Sequence, residues 1–284
     1  EMKVQKRGGT GITCLNTPDD TVHKILSCST LDDILLFSNL GKVYRKKAYQ
    51  IEKFSRTSHG IPIINLLDIE KDEKIISIFK IDKEDKNENL VLVSKKGIIK
   101  KIKLFSLDKI RRTGKRIINF DENDSLANIE LLQQNQNIIL FSSAGKAVQF
   151  LEKELPVYST SAKGVKGINL KGSNIVSLCV VDENEKLVLV SSNGIGKLIN
   201  SKDIKHTHRG STGVKIMNID VNNLLFSAKP LAHNANVLLT SDNNNILIFK
   251  SDELPTLSRT AKGVKLMNLK EGSISSLDLL TMEE

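Results

Sequence analysis

The stretch G-V-K-I-M-N at residues 213–218 decides the fold, because variants of it recur at a fixed interval along the chain. In each copy a glycine is followed five residues later by an asparagine, with apolar residues between them. The six pairs are Gly11/Asn16, Gly60/Asn65, Gly114/Asn119, Gly164/Asn169, Gly213/Asn218 and Gly263/Asn268. Successive asparagines are 49 to 54 residues apart. A period near 50 residues predicts one supersecondary unit that is copied around a ring or along an array.

The repeated unit is predicted to consist of strands. Apolar, β-branched runs such as residues 34–37 and 187–190 precede turns with Gly or Asn, which tolerate the positive φ of tight hairpins. A second strand, a polar loop, the glycine–asparagine element and a further strand follow, without a long segment at helical period. About four short strands per repeat favour an all-β, propeller-like closed ring.

We expect one domain over residues 1–284, with the first repeat incomplete. The approximate repeats are residues 1–33, 34–80, 81–134, 135–182, 183–232 and 233–284. Six glycine–asparagine elements are preceded by only five hairpins, because the element at Gly11 has no hairpin before it. The sequence starts at Glu1 rather than at a methionine, which suggests a fragment of a longer polypeptide. Either the missing hairpin lies upstream, or the two termini pair to close the ring.

Positive charge is concentrated at the repeated element. The chain has 42 Lys and Arg against 33 Asp and Glu, a net charge of +9. Windows from eight residues before each repeated glycine to two after it sum to +16, so the other residues carry −7. A basic rim of this kind suits a long polyanion that touches each unit in turn. The alternative is that these basic loops are ordinary solvated surface.

The basic side chains of these windows are the candidate phosphate contacts. Aromatic residues make up only 4% of the chain and Trp is absent, which argues against a stacking platform for single-stranded nucleic acid. The candidate DNA-binding residues are Lys3, Lys6, Arg7, Arg56, Arg111, Arg112, Lys115, Arg116, Lys163, Lys166, Lys205, Arg209, Lys215, Arg259, Lys262 and Lys265.

Motifs for catalysis and for metal binding are missing. The G-x-x-x-x-G-S stretch at residues 167–173 lacks the lysine of a phosphate loop. His206 and His208 are close in sequence, but no Cys or carboxylate lies at metal-ligand spacing from them. We therefore expect no catalytic residue, no metal site and no cofactor in this chain. No apolar run approaches the length of a membrane span.

The segment Q-K-R-G-G-T-G at residues 5–11 resembles the gyrase A box, whose pattern is Q-R-R-G-G-K-G. Five of the seven positions match, Lys6 keeps the charge of the arginine that it replaces, and Thr10 loses the charge of a lysine. The residues of this box are Gln5, Lys6, Arg7, Gly8, Gly9, Thr10 and Gly11. With the box in the first of six β repeats, the whole chain resembles the C-terminal domain of the DNA gyrase A subunit.

This resemblance implies a six-bladed β-pinwheel around whose basic perimeter DNA wraps in a positive sense, so that ATP-driven strand passage introduces negative supercoils. The box would serve wrapping and supercoiling rather than cleavage. The implied partners are duplex DNA, contacted through its phosphates, and the N-terminal region of the A subunit together with the B subunit, in an A2B2 holoenzyme. That holoenzyme is an ATP-dependent type II topoisomerase in the bacterial cytoplasm at the nucleoid. ATP and Mg would be used elsewhere in it, and this fragment, non-catalytic, would be monomeric in isolation.

Three alternatives stay open. The first is the C-terminal domain of the topoisomerase IV A subunit, a related pinwheel without an intact box. The second is a propeller-like scaffold for protein interactions, which predicts aromatic or acidic signatures instead of the observed separation of charge. The third is a repeat-built enzyme with a site in a central channel, which requires convergent titratable residues from several units.

Overall fold

Short antiparallel strands make up nearly all of the regular structure. The computed structural model describes residues 12–13, 26, 28–54, 58, 60–81, 88–231, 235–243, 245–269 and 271–281 of the 284-residue chain. The strands in these ranges are β1 (Ile12–Thr13), β2 (Asp33–Ser38), β3 (Lys42–Lys47), β4 (Ile75–Ile81), β5 (Asn89–Ser94), β6 (Ile98–Lys103), β7 (Lys115–Arg116), β8 (Leu126–Leu132), β9 (Asn137–Ser142), β10 (Lys146–Leu151), β11 (Val165–Lys166), β12 (Ile175–Val181), β13 (Lys186–Ser191), β14 (Ile195–Asn200), β15 (Val214–Lys215), β16 (Leu225–Pro230), β17 (Ala235–Ser241), β18 (Asn245–Lys250), β19 (Val264–Lys265) and β20 (Ile274–Thr281).

Helical structure is limited to single turns in these ranges. There is one α-helical turn, α1 (Ile63–Leu66), and the 3-10 turns are Ala48–Gln50, Leu104–Leu107, Glu152–Glu154, Ser201–Asp203 and Ser251–Glu253. Each 3-10 turn directly follows the second strand of a hairpin, where the chain leaves the sheet. In the part of the chain that the structure describes, no helix is long and apolar enough to span a bilayer.

The strands form five four-stranded sheets with one common order. In each sheet a hairpin occupies the centre, a long strand pairs with its first strand, and a two-residue strand pairs with its second. The five orders are β4-β2-β3-β7, β8-β5-β6-β11, β12-β9-β10-β15, β16-β13-β14-β19 and β20-β17-β18-β1. Every pairing within these sheets is antiparallel, as the hairpin connections require.

The sheets lie around an axis, as in a propeller. Their long edge strands touch in succession, because β8 contacts β4 and β12, and β16 contacts β12 and β20. These edge strands therefore form the inside of the ring, and the two-residue strands at the opposite edge of each sheet form the outside. The predicted all-β, propeller-like ring is confirmed. The described residues contain five complete sheets, whereas the resemblance led us to expect six blades.

Each two-residue strand belongs to a different repeat from the hairpin with which it pairs. In the β4-β2-β3-β7 sheet Lys42 of β3 pairs with Arg116 of β7, and in the β8-β5-β6-β11 sheet Ile98 of β6 pairs with Lys166 of β11. The short strand of one repeat thus completes the sheet of the repeat before it. The first repeat completes the last, since Ile12 pairs with Ile246 of β18. Of the two arrangements that the sequence left open, the structure contains the pairing between the two ends of the chain.

The apolar residues between glycine and asparagine explain why the motif recurs. Ile117 and Ile118 are fully buried in the core between the β2–β3 and β5–β6 hairpins, and Ile216 and Met217 lie in the core between the β9–β10 and β13–β14 hairpins. Complete burial of an apolar side chain of this size contributes about 1.5–3 kcal/mol. These two elements therefore act as apolar wedges, each joining two neighbouring sheets.

At three of the repeated glycines the chain passes directly over a hairpin strand, and a side chain has no room there. Gly213 has a φ of +69°, and a Cβ built on it would lie 2.3 Å from the carbonyl oxygen of Ala147. At Gly164 and Gly263 the corresponding distances to a strand carbonyl are both 2.6 Å, again with positive φ. A residue with a side chain would be strained in its own backbone and would collide with the strand.

We predict that Gly213→Ala lowers the free energy of unfolding by about 2–4 kcal/mol, from the positive φ together with the collision. Gly210→Ala is the matched control, because Gly210 has a φ of +81° but its nearest contact would be 3.7 Å away. We expect this control to cost about 1 kcal/mol. Urea unfolding of both variants measures the difference, and equal costs would contradict the proposed close approach.

Candidate nucleic-acid interface

The outer edge of the ring presents basic residues at one position of each sheet. We define the basic arc as residues 109–116, 159–166, 205–215 and 258–265, which are the loops and short strands around four of the repeated glycines. Because side chains alternate along a strand, the two residues of a short strand face opposite ways, and in β11, β15 and β19 the first faces the core. Val165, Val214 and Val264 pack against the cores. The exposed second residues are Arg116, Lys166, Lys215 and Lys265.

Three asparagines of the motif, Asn119, Asn169 and Asn218, tie one basic loop to the next. The side-chain amide of Asn119 donates to the carbonyl oxygen of Ser161 at 2.8 Å. The backbone N–H of Asn169 donates to the carbonyl oxygen of Ser211, also at 2.8 Å. A further link is formed by Arg259, whose guanidinium donates to the carbonyl oxygen of Lys215. Consecutive loops are therefore joined into a continuous surface rather than projecting independently.

The predicted contact residues within the described ranges fall into two groups. Most are exposed, and these are Arg111, Arg112, Arg116, Lys163, Lys166, Lys205, Arg209, Lys215, Lys262 and Lys265. Lys115 and Arg259 are only partly exposed, and the ammonium of Lys115 donates to the carbonyl oxygen of Ser106. These two residues support the surface more than they project from it.

Two of the exposed contacts hold carboxylate partners from a preceding repeat. Nε of Arg112 is 3.0 Å from Oδ2 of Asp68, and Nζ of Lys163 is 2.5 Å from Oδ1 of Asp121. The hydrogen bond from Lys163 lowers the pKa of the Asp121 carboxyl. Exposed pairs of this kind contribute little to stability, so their exchange for a phosphate is inexpensive.

Some of the predicted contacts fall outside the described residues, including the entire box. They are Lys3, Gln5, Lys6, Arg7, Gly8, Gly9, Thr10, Gly11 and Arg56. The short strand β1 follows the box directly, and its pairing with β18 makes it the counterpart of the short strands of the basic arc.

Two buried lysines beneath the basic arc were missed by sequence reasoning. Nζ of Lys100 donates to the carbonyl oxygens of Ile117 at 2.7 Å, Thr160 at 2.9 Å and Ala162 at 2.7 Å. Its side chain is completely buried. Burial lowers the pKa of Lys100 to about 8, so the ammonium is still the main form at neutral pH.

Lys197 repeats this arrangement in another sheet. Its Nζ donates to the carbonyl oxygens of Ser258 at 2.9 Å, Arg259 at 2.8 Å and Ala261 at 2.7 Å. Burial, and then the nearby charge of Arg259, lower the pKa of Lys197 to about 8. Both lysines stand three residues after the turn glycine of their hairpin, where the β9–β10 hairpin has Val148. A charged residue at an otherwise apolar strand position was the signal available in the sequence.

The inside of the ring contains a polar cavity with a different character. Its volume is about 320 Å³, and its charged lining residues are Glu130, Lys229 and Asp278. Nζ of Lys229 is 2.6 Å from Oδ1 of Asp278, so two of these charges neutralise each other. Over the described ranges, no three His, Cys, Asp or Glu side chains converge as a metal site would require.

Comparison with known protein sequences gives matches to DNA gyrase proteins. The sequence profile of the family "DNA gyrase C-terminal domain, beta-propeller" matches residues 3–31, 32–82, 88–133, 136–181, 185–232 and 235–277. The DNA gyrase A subunit of Mycoplasma genitalium is 36% identical over 271 residues, covering 94% of this chain and 32% of that protein. The DNA gyrase A subunit of Staphylococcus epidermidis is 33% identical over 286 residues, covering 99% of this chain and 32% of that protein. The chain thus spans about a third of the length of these relatives.

Two solved structures share the fold. A structure of the DNA gyrase A C-terminal domain superposes with a TM-score of 0.86 at 24% identity, covering 99% of this chain and 93% of that one. The C-terminal domain of DNA topoisomerase IV superposes with a TM-score of 0.78 at 23% identity, covering 88% of this chain and 80% of that one. At these identities the similarity concerns the fold alone.

Proposed function

Because the chain belongs to the DNA gyrase C-terminal domain, beta-propeller family, we propose that it binds duplex DNA without sequence preference and wraps it in a positive sense around the ring. The observation that carries this proposal is the basic arc, in which basic loops on the outer edges of neighbouring sheets are joined into one surface. DNA wrapping relies on many phosphate contacts along a curved surface and on little reading of bases.

The energetics of DNA bending favour a surface with repeated contacts. Bending a site of about 20–30 base pairs costs on the order of 1–6 kcal/mol, which one or two exposed ion pairs do not offset. Four consecutive loops of the basic arc, each with exposed lysines or arginines, spread the compensation along the DNA. The box and Arg56 would extend the same contact path to the first repeats. The positive sense of the wrap comes from the family resemblance.

We further propose that the complete ring has six blades within one domain. Six segments matched by the family profile support this, as does the element at Gly60, which comes between β3 and β4. By the rule that a short strand completes the sheet of the preceding repeat, residues 61–62 would complete the sheet that precedes the β2–β3 hairpin. The described residues contain no such sheet.

The larger assembly is proposed from the gyrase relatives. The chain would be the DNA-wrapping part of a gyrase A subunit, which works with the B subunit in an A2B2 enzyme in the bacterial cytoplasm, at the nucleoid. Strand cleavage, ATP and Mg would belong to other parts of that enzyme, and this part would need no cofactor. We expect the isolated chain to be a monomer, since its predicted role requires only the ring and DNA.

We predict that replacing Lys166, Lys215 and Lys265 with alanine weakens binding equally for unrelated DNA sequences. The slope of log affinity against log salt should shrink by about 0.9 for each phosphate that is no longer neutralised, or about 2.7 in total. The control replaces Lys153, Lys186 and Lys202, which are exposed but lie outside the basic arc. Fluorescence anisotropy over a salt series measures both slopes, and an equal loss in the control would refute the assignment of the arc.

The wrapping itself is tested by ligation of nicked circular plasmid with increasing amounts of the protein. After the protein is removed, we expect topoisomers with a positive linking difference that grows with its concentration. Replacement of residues 6–9 of the box with alanines should abolish this shift while much of the DNA binding remains. Binding without a shift in the unaltered chain would favour the topoisomerase IV alternative, and absence of binding would favour the scaffold.

A further inference from the structure

We propose that Lys100 and Lys197 are positioning residues of the basic arc: each fixes the loop that presents the phosphate-binding side chains, without touching the DNA. The inference rests on the proposed function for its consequence, but the geometry that carries it belongs to the protein alone. Both side chains are buried beneath loops that carry exposed lysines, namely Lys163 and Lys166 above Lys100, and Lys262 and Lys265 above Lys197.

Each lysine holds the loop that leads into the short strand of its own sheet. Lys100 lies on β6 and binds carbonyl oxygens of residues 160 and 162, just before β11, which pairs with β6. Lys197 lies on β14 and binds carbonyl oxygens of residues 258, 259 and 261, just before β19, which pairs with β14. One strand thus anchors the loop twice, by backbone pairing and by an ammonium group.

The chemistry of the ammonium suits this task. A lysine has three N–H donors and no acceptor, and each of these lysines satisfies three carbonyl oxygens. The three oxygens converge on one point only while the loop keeps its present path. Without the ammonium these oxygens would lose the donor that draws them together, although Ser258 O and Ala261 O would keep backbone N–H donors, from Ala261 and Asn218. The loop would therefore be held less firmly on its present path.

Lys100 additionally connects two consecutive units. Its third acceptor, the carbonyl oxygen of Ile117, belongs to the element of the preceding basic loop. Asn119 from that same element donates to Ser161 in the loop that Lys100 holds. The spacing between the loop at residues 109–116 and the loop at residues 159–166 is therefore set by a shared buried cation and by an exposed amide.

The first test uses hydrogen exchange of the DNA-free, full 284-residue chain. Lys100→Met and Lys197→Met keep an unbranched apolar stem but remove the donors. We expect faster amide exchange in residues 159–163 for the first variant and in residues 258–262 for the second, while residues 208–212 stay unchanged. The charge-matched controls, Lys103→Met and Lys202→Met, should leave all three loops unchanged. Variant loops that exchange like those of the controls would overturn the inference.

The second test separates positioning from simple loss of charge. We expect Lys100→Met to lower the salt slope of DNA binding by about 1.8, the value for the two phosphates assigned to Lys163 and Lys166, although the substituted side chain is buried. Lys166→Ala should then cost less affinity in the Lys100→Met background than in the unaltered protein. A full, additive cost would contradict the positioning role.

Failure of this inference can be told apart from failure of the proposed function. If Lys166→Ala weakens DNA binding in the unaltered chain but Lys100→Met behaves like Lys103→Met, the positioning role is wrong and the interface stands. If Lys166→Ala and the triple arc variant bind DNA normally, the interface is wrong, and hydrogen exchange alone decides whether the lysines hold the loops. Lys100→Met could also speed amide exchange of residues 138–141, which would indicate a loosened core. In that case the test uses Lys100→Gln, which keeps two N–H donors and should give loop exchange between the rates of the unaltered chain and of Lys100→Met. Loop exchange equal to that of the unaltered chain would overturn the role.

Discussion

The antiparallel pairing of a two-residue strand with the hairpin of the preceding repeat is the contact on which the rest of the molecule depends. This pairing brings the glycine–asparagine element so close to the hairpin strand that only glycine fits at the first position of the element. Once the element lies there, its apolar pair enters the gap between two sheets and its outward residue faces solvent. Its asparagine reaches the next loop. Six residues thus determine sheet completion, blade packing, surface charge and loop spacing together.

The short strand is weakly held by its own backbone. Two residue pairs provide few hydrogen bonds, each worth about 0.5–1.5 kcal/mol net. The neighbouring apolar side chains contribute more, at about 1.5–3 kcal/mol each when fully buried. Arg116 precedes the buried Ile117, and Lys215 precedes the buried Ile216. The outward charges are consequently attached to the hydrophobic core through the next residue, which keeps a surface of loops in fixed positions.

The sequence was sufficient for those features that are written within one repeat. The 50-residue period, the β-branched runs and the turn glycines predicted a ring of strands, and charge counting around the glycines found the basic edge. It was insufficient for features that join two repeats. A period shows that Val165 and Lys166 recur, but it does not reveal that they pair with β6 rather than with a strand of their own repeat.

The same limit explains which side-chain contacts the sequence did not reveal. A lysine in a strand is normally a surface residue, and Lys100 is buried only because carbonyl oxygens from a loop about 60 residues later converge on it. Likewise, Lys163 contacts Asp121 of another repeat. The box, by contrast, was assigned from family resemblance, and its positions lie outside the described residues.

The pairing of β1 with β18 has a consequence for how the protein folds. Sheets joined by adjacent repeats can form in order as the chain is synthesised, each one finished when the next element appears. The sheet of β17, β18 and β20 differs, because its last strand is made first, and Ile12 must find Ile246 across most of the chain. Contacts between residues so distant in sequence are slow to form, since the entropy of closing the intervening loop is lost before they are gained. Closure of the ring is therefore a late event that joins the earliest and the latest parts of the chain, and until then β18 presents an unpaired edge to other chains.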